Sequence, residues 1–377
     1  MFQNPNREIQ FLLNPAYPPP EMGMEETATN LVALYELVDY ALTKGFEPLD
    51  INSWQWCVTK FLFWDLSNVS FLGTLNHELG HGHRHRDFGG TPSYSLNYNY
   101  LPLWPWIGFK SSRCYYHGPI PPLNREEKLR RTVGGLEASG VLKDVTVSRL
   151  YSTSCYTYTS LLFLGYSKFN LLLYVLRTDP KNSDGDISKW LAAIAGLHSD
   201  ISQERLYSQL RRESILFCVL DPALWEAVYY TVYANFMKGM NCFKVSMLKV
   251  GSFEVMPELS YGITSLGTEK YLRIHWRRDR IFGNVYFRYL WRVNQADGKG
   301  IGFRLANLPL VDKTWQIGLT CDGWHGEKIG GAFEIILQKS IENSYYSLHL
   351  GMKSDGYLRG KSYGASQWLR FGIRIKL

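Results

Sequence analysis

The chain has 377 residues, 45% of them hydrophobic and 20% charged, and this composition excludes an intrinsically disordered protein. The formal net charge is +7, and the positive excess lies in residues 241–377, which hold 20 Lys and Arg against 11 Asp and Glu. These basic residues alternate with apolar ones and form no run or arm, so we expect no nucleic-acid partner. The six cysteines are far apart in sequence and form no Cys-x-x-Cys pair, which excludes a zinc site built from cysteines.

Helical patterns dominate residues 1–245. Apolar residues recur there at three- and four-residue spacings, and residues that start or end helices flank them, such as Gly45 and the capping-box pair Asn124 and Glu127. Between these helices, residues 86–123 are rich in Gly, Pro, Tyr and Trp and show no periodicity, which is typical of a functional loop. The predicted helices cover about 22–44, about 53 onward, about 68–85, about 124–139 and further segments to about 240.

One predicted helix, over about residues 153–176, is long enough to cross a membrane. Lys168 is its single charged residue. Its Tyr, Ser, Thr and Asn content fits a helix buried in a protein core equally well, so both interpretations stay open. The first residues of the chain show no basic segment followed by an apolar one, so no secretory signal is predicted.

The predicted helix over 68–85 contains the sequence His77-Glu78-Leu79-Gly80-His81. Residues four apart lie on the same face of a helix, so His77 and His81 can offer two imidazole nitrogens to one ion. Glu78 is placed to take a proton from a metal-bound water. These five residues resemble the His-Glu-x-x-His signature of the zincin metallopeptidases. The resemblance implies a Zn²⁺ cofactor, a catalytic Glu78 and a peptide or protein substrate.

A catalytic zinc needs a third protein ligand and one position left open for water. Glu137 is the preferred candidate, because Gly134 and Gly135 before it would let its helix approach the motif helix closely. This choice resembles the zincin group that takes a Glu from a later helix. An ordinary surface carboxylate is an equally good interpretation of Glu137, and Asp87 is a weaker candidate for the third ligand.

From about residue 253 onward the period of the apolar pattern changes to two. Over residues 285–293, aromatic and aliphatic side chains alternate with residues such as Arg288 and Arg292, as in a β-strand. Similar runs, separated mostly by Gly, Asp or Asn, predict a series of antiparallel hairpins. The sequence therefore predicts an α+β fold, in which a helical zinc-binding catalytic domain (1–245) precedes an antiparallel β-barrel-like domain (246–377).

The final strand has apolar residues from Leu369 to Leu377 that alternate with Arg370, Arg374 and Lys376. It resembles the closing strand of bacterial outer-membrane β-barrels, which turn apolar side chains to lipid and polar ones to the lumen. The resemblance covers about residues 250–377 and implies a barrel of about eight strands in the bacterial outer membrane. Another membrane-associated or periplasmic location stays open, as does a soluble barrel or sandwich whose core takes the apolar face.

Three functional hypotheses follow from these patterns. In the first, the protein is a zinc-dependent hydrolase, most simply a metallopeptidase of the bacterial cell envelope that is anchored by its β domain and activates water through Glu78. In the second, it is a non-catalytic outer-membrane β-barrel protein that binds or passes an anionic ligand. The third keeps the peptidase and places the helical part in the membrane as well.

Overall fold

The computed structural model confirms the predicted α+β layout, in which a helical N-terminal half precedes a large antiparallel sheet. It describes residues 8–15, 23–46, 54–98, 109–117, 123–152, 156–182, 185–197, 201–240, 242–243, 245–292, 297–310, 314–326 and 328–376. The predicted helix start at Ser53 and the final residue Leu377 lie outside these ranges.

The helices over Met24–Phe46 and Leu66–Arg86 agree with the predicted ones to within about two residues, whereas the helix predicted over about 124–139 is divided into two helices at Val133. The helices are α1 (Met24–Phe46), α2 (Trp54–Lys60), α3 (Leu66–Arg86), α4 (Arg125–Thr132), α5 (Gly134–Ser152), α6 (Tyr158–Arg177), α7 (Asp186–Leu197), α8 (Gln203–Val219) and α9 (Pro222–Tyr229). A π-helical turn at Phe61–Asp65 joins α2 to α3, and another at Tyr230–Met237 prolongs α9. The predicted capping box is present at α4, where the Asn124 side chain accepts from the Glu127 backbone N–H at 2.9 Å.

The C-terminal half folds into hairpins whose strands lie side by side in chain order. The strands are β1 (Glu8–Leu13), β2 (Thr91–Tyr98), β3 (Phe109–His117), β4 (Tyr156–Thr157), β5 (Cys242–Phe243), β6 (Leu248–Val250), β7 (Phe253–Thr264), β8 (Gly267–Arg278), β9 (Ile281–Trp291), β10 (Gly298–Pro309), β11 (Trp315–His325), β12 (Gly330–Ile341), β13 (Ser344–Lys353) and β14 (Ser366–Lys376). β2 pairs with β3 and β4 pairs with β5, while the other strands form one sheet.

This sheet has ten strands in the order β1-β14-β13-β12-β11-β10-β9-β8-β7-β6 and is open. The predicted barrel of about eight strands is therefore wrong in its closure: among the described residues, the end strands β1 and β6 do not pair with each other. Alternation along a strand predicts its two faces, but it carries no information about what lies beyond the first and last strands. β1 comes from the start of the chain and pairs with β14, with Ile9 opposite Ile375.

The two faces of the sheet differ in chemistry and in burial. The inner face carries charged residues that are buried beneath the helices, for example Glu258 and Arg273. The outer face is apolar and exposed, with Leu272, Phe287 and Leu350 retaining 42%, 51% and 47% of their accessible surface. Among the described residues, the core therefore does not take the apolar face of the sheet.

Helix α5 lies at the centre of the molecule, between the other helices and the inner face of the sheet. Its buried Leu142 and Val141 pack with Val32 of α1, Leu72 of α3 and Phe163 of α6. On its other side, Lys143 donates a hydrogen bond to the Tyr261 carbonyl of β7 at 2.8 Å. α5 therefore connects the helix that carries the His-Glu-x-x-His sequence to the sheet.

Candidate metal centre

The two histidines of the motif converge on α3, as predicted. Their Nε2 atoms lie 3.2 Å apart and their ring centroids 4.9 Å apart. The close packing of α5 against α3 depends on glycines, because a Cβ added to Gly80 would lie 2.4 Å from the Gly134 carbonyl oxygen. A Cβ on Gly135 would lie 2.4 Å from His77 Nε2, so this glycine leaves the space that the imidazole occupies.

The third member of the group is Asp186, the first residue of α7. Its Oδ2 lies 2.9 Å from His77 Nε2 and 3.1 Å from His81 Nε2. The backbone N–H of Asp186 donates to the Tyr174 hydroxyl at 3.0 Å, which fixes the start of the helix beside the histidines. Sequence reasoning missed Asp186, because it lies 105 residues beyond His81 and only the packing of α7 brings it there.

These three side chains fit a divalent cation. Two imidazoles and one carboxylate form the donor set of a catalytic zinc with an open fourth position. Tetrahedral bonds of about 2.1 Å place ligand atoms about 3.4 Å apart, close to the spacing of the three atoms. His81 Nδ1 lies 3.1 Å from the Arg131 carbonyl oxygen. Since a carbonyl can only accept, Nδ1–H donates and the Nε2 lone pair of His81 is free for a metal.

The electrostatics of the group favour positive charge between its members. Burial on its own would lower the pKa of His81, but the adjacent Asp186 carboxylate raises this pKa above its usual value. Burial would raise the pKa of Asp186, yet the charge and hydrogen bonds of His81 and His77 hold it well below the usual range. The carboxylate therefore stays ionised in a half-buried position, where it would stabilise a bound cation.

Glu78 lies next to His77 on α3 and is buried. Its charge acts on the hairpin of β2 and β3 as well as on the metal group. Burial and the Glu78 charge raise the pKa of Cys114 in this hairpin to about 12, and Glu78 also acts electrostatically on His81. The candidate proton acceptor is thus a buried carboxylate whose charge reaches both the histidines and the hairpin.

The structure does not bring Glu137, the predicted third ligand, into the metal group. Its carboxylate forms a buried ion pair with Arg84, whose Nε donates to Glu137 Oε2 at 2.8 Å. Glu137 Oε1 also accepts from the Gly360 backbone N–H at 2.8 Å. Asp87, the weaker candidate, bonds Arg84 Nη1 at 2.7 Å. One guanidinium therefore holds both carboxylates in a structural role that connects α3, α5 and the loop between β13 and β14.

Part of the segment 86–123 has regular structure, where a functional loop without periodicity was predicted. Its described residues form the hairpin of β2 and β3, which packs against α3. A Cβ on Gly82 would lie 1.9 Å from the Tyr94 hydroxyl, so Gly82 permits this contact. Residues 99–108 and 118–122 lie outside the described ranges.

Comparison with known proteins gives no further identification. No protein-family model, no curated protein and no solved structure matches this chain at a significant level. The positive findings about its chemistry are therefore the geometry and the charges of His77, His81 and Asp186 as a group that could hold a metal ion.

Proposed function

We propose that this protein is a metal-dependent hydrolase of the bacterial cell envelope, with Zn²⁺ as its ion and a peptide or protein as its substrate. One observation carries the proposal: the ligand atoms of His77, His81 and Asp186 meet within 3.2 Å of one another, and the buried Glu78 lies beside them. The choice of a peptide substrate rests on the resemblance of His77–His81 to the zincin signature.

The residues of the chain have distinct roles in this proposal. When bound to the three ligands, zinc supplies Lewis-acid activation of the scissile carbonyl and of a water. Glu78 accepts the proton of the attacking water and passes it to the leaving group. The Arg131 carbonyl fixes the orientation of His81, and the Tyr174 hydroxyl fixes the position of Asp186.

We also propose that the exposed apolar face of the sheet contacts the hydrocarbon of the outer membrane. Leu272, Phe287 and Leu350 project from it, while charged groups such as Arg273 point inward. This is the arrangement expected of strands in lipid, where apolar side chains face outward and polar ones face an enclosed interior. Detergent-free extraction tests the location: recovery of the protein in the membrane fraction is expected, and full recovery in the soluble fraction would contradict it.

Metal content tests the proposed centre. Wild-type protein, purified without chelator, should hold about one zinc ion per chain, because the group supplies three ligands. Asp186→Ala, His77→Ala and His81→Ala should each lose it. Asp179→Ala is the matched control for Asp186, since Asp179 is exposed and its side chain accepts from the nearby Lys181 backbone N–H. Wild-type protein without metal after zinc loading, or an Asp186→Ala variant that retains full zinc, would reject the site.

A second candidate function is the binding of an anionic ligand without catalysis, which a separate cavity favours. This cavity has a volume of about 280 Å³ and lies among the turns at one end of the sheet. Its basic lining residues are Arg130, Arg288, Arg292 and Lys328. Two buried donors that also line it, Trp324 Nε1 and Tyr357 OH, have no hydrogen-bond partner among the described residues. Phosphate binding that survives Asp186→Ala and is lost in Arg292→Gln would support this function over hydrolysis.

A further inference from the structure

An open sheet placed in a membrane would have two exposed edges. Backbone N–H and C=O groups that face hydrocarbon without partners are strongly unfavourable, so membrane proteins cross lipid as helices or closed barrels. In this sheet, the outer edge of β1 and the part of β7 that continues beyond its three-residue pairing with β6 have no neighbouring strand among the described residues. The contacts made by these two edges therefore decide whether the fold can face lipid.

The edge of β1 is sealed by helix side chains. The Asn30 side chain of α1 makes the two hydrogen bonds that a residue of a neighbouring strand would make. Its Oδ1 accepts from the Leu12 N–H at 2.8 Å, and its Nδ2 donates to the Leu12 carbonyl at 2.7 Å. Four residues away along β1, the Glu8 carbonyl accepts from Arg149 of α5 at 3.1 Å.

The edge of β7 is sealed in the same way by other helices. The Leu259 N–H donates to Asp221, the N-cap of α9, at 3.2 Å, and the Leu259 carbonyl accepts from Lys168 of α6 at 3.4 Å. Further along β7, the Tyr261 and Thr264 carbonyls accept from Lys143 and Trp190, each at 2.8 Å. Lys168, the one charge that interrupts the apolar pattern of α6 before its end, is buried in an ion pair with Asp221.

The helices next to these edges expose apolar surface of their own. Leu216 and Val219 on α8 retain 50% and 53% of their accessible surface, and Met237 after α9 retains 66%. α6 is long and apolar enough to span a membrane. α8 together with α9 and its extension is also long and apolar enough, as a pair bent by 57°. The other exposed large apolar residues of these helices include Phe169, Leu173, Leu176, Ile215, Trp225, Tyr229, Val232 and Tyr233.

From the side-chain hydrogen bonds at these two edges and the apolar surface of the adjacent helices, we infer that the helices and the sheet form one continuous lipid-contacting surface. The protein contacts the acyl chains of the bilayer through a mixed surface: the outer face of the sheet and the exposed sides of α6, α8 and α9. Helix side chains replace the strand pairing that would close a barrel. The inference rests on the proposed membrane location but is independent of the proposed hydrolysis.

Acyl chains fit this surface better than a protein partner does. Apolar exposure extends over both the sheet and the helices, whereas a docking site on a soluble protein is a single patch of limited area. The buried charged residues of the sheet lie on its inner face, for example Arg273, Arg288 and Glu258. Lipid thus accounts for the apolar exterior and the charged interior together.

Photo-crosslinking of the full chain in lipid nanodiscs tests the inference. Benzoylphenylalanine is placed in single variants at Leu216 on α8, at Phe287 on β9 and at Lys328 in the turn before β12, which is 64% exposed and polar. The nanodiscs contain phosphatidylethanolamine and phosphatidylglycerol, and lipid adducts are measured by mass spectrometry. We expect similar adduct yields at Leu216 and Phe287 and at least a tenfold lower yield at Lys328.

Each other outcome has a defined meaning. Lipid adducts at Phe287 together with none at Leu216, or with protein-protein adducts at Leu216, would overturn the inference that the helices belong to the lipid-contacting surface. The membrane location of the sheet would be unaffected. Adducts at neither position would overturn both. Val219 provides a second position on α8 if the Leu216 variant does not fold, and zinc content, measured on the same samples, reports separately on the metal centre.

Discussion

Both the metal centre and the inner face of the sheet bury carboxylates, but they neutralise them differently. In the sheet, Glu258 lies 3.3 Å from the guanidinium of Arg273, which carries a permanent charge. In the metal centre, Asp186 faces the imidazoles of His77 and His81, which are neutral when they ligate a metal. The sheet is thus balanced by permanently charged side chains, while the metal centre pairs its carboxylate with imidazoles, which can ligate a divalent cation in their neutral form. Two further carboxylates of the sheet have Arg partners: Glu269 pairs with Arg359 of the loop before β14, and Glu334 pairs with Arg370.

The carboxylates of the two regions therefore have different roles: those of the sheet stabilise the fold, and Asp186 is available to a metal ion. Buried ion pairs hold the inner face of the sheet against the helices and need no ligand. Arg84 does the same for Glu137, which removes that carboxylate from the metal group. Asp186 and Glu78 lie next to the histidines instead, and Asp186 faces their imidazole nitrogens.

The largest expected effect separates chemistry from metal binding. Glu78→Gln should lower the kcat/KM for peptide hydrolysis by about 10²–10⁴-fold, because the amide cannot accept the proton of the attacking water. Zinc content should stay near wild type, since Glu78 is not one of the three ligands. Hydrolysis of a quenched fluorescent peptide library and metal analysis of the same sample give the two values. Undiminished activity in Glu78→Gln would remove Glu78 from the mechanism.

The second largest effect is expected from breaking an ion pair on the inner face of the sheet. Arg273→Ala should lower the free energy of unfolding in detergent by about 3–5 kcal/mol, because it leaves Glu258 and Asp144 with less compensation in a buried position. Zinc content of the folded fraction should not change. A stability close to wild type would show that the inner face does not depend on its ion pairs, and the contrast with the metal centre would then fail.

A smaller effect is expected from a substitution at the contact between α3 and α5. Gly135→Ala places a methyl group 2.4 Å from His77 Nε2, so the imidazole must move away from the ligand position. We expect a loss of zinc affinity of about 10–100-fold, comparable to the removal of an outer-shell partner, and a destabilisation of about 1–3 kcal/mol. Gly165→Ala on α6 is the control, since nothing lies within 4 Å of its added Cβ. Equal zinc affinity in the two variants would contradict the described packing.

The smallest effect tests the sealed edge of β1. Asn30→Leu leaves the N–H and C=O of Leu12 without their side-chain partners and should cost about 1–3 kcal/mol in the free energy of unfolding. Hydrogen exchange should become faster at the Leu12 amide and stay unchanged at the Phe11 amide, because the amides of successive residues in a strand point to opposite edges and the Phe11 amide therefore faces β14. Unchanged exchange at Leu12 would mean that Asn30 does not protect the edge.

Local patterns in the sequence predicted the parts of the fold that depend on local physics. The helical spacing placed His77 and His81 on one face of α3, and the period of two placed the strands of the sheet. Contacts between distant segments were not predictable in this way. Asp186 lies in a polar stretch with Asp179 and Asp184, and no local feature distinguishes it from these neighbours.

The pairing of β1 with β14 and the ion pair of Glu137 with Arg84 were also not predictable from local patterns. β1 has six residues and pairs with the opposite end of the chain, so its role follows from topology alone. The paired glycines before Glu137 correctly predicted the close approach of α5 to α3. The carboxylate itself was then taken by Arg84, a partner that becomes evident only once the two helices are packed together.

Zinc K-edge X-ray absorption of the metal-loaded protein tests directly whether His77, His81 and Asp186 ligate the ion. We expect a first shell of two imidazole nitrogens and a carboxylate oxygen, at about 2.0–2.2 Å, with one further oxygen from solvent. Asp186→Ala should lose the carboxylate contribution or the metal altogether. A first shell that contains sulfur, a single imidazole, or an unchanged spectrum in Asp186→Ala would contradict the metal centre.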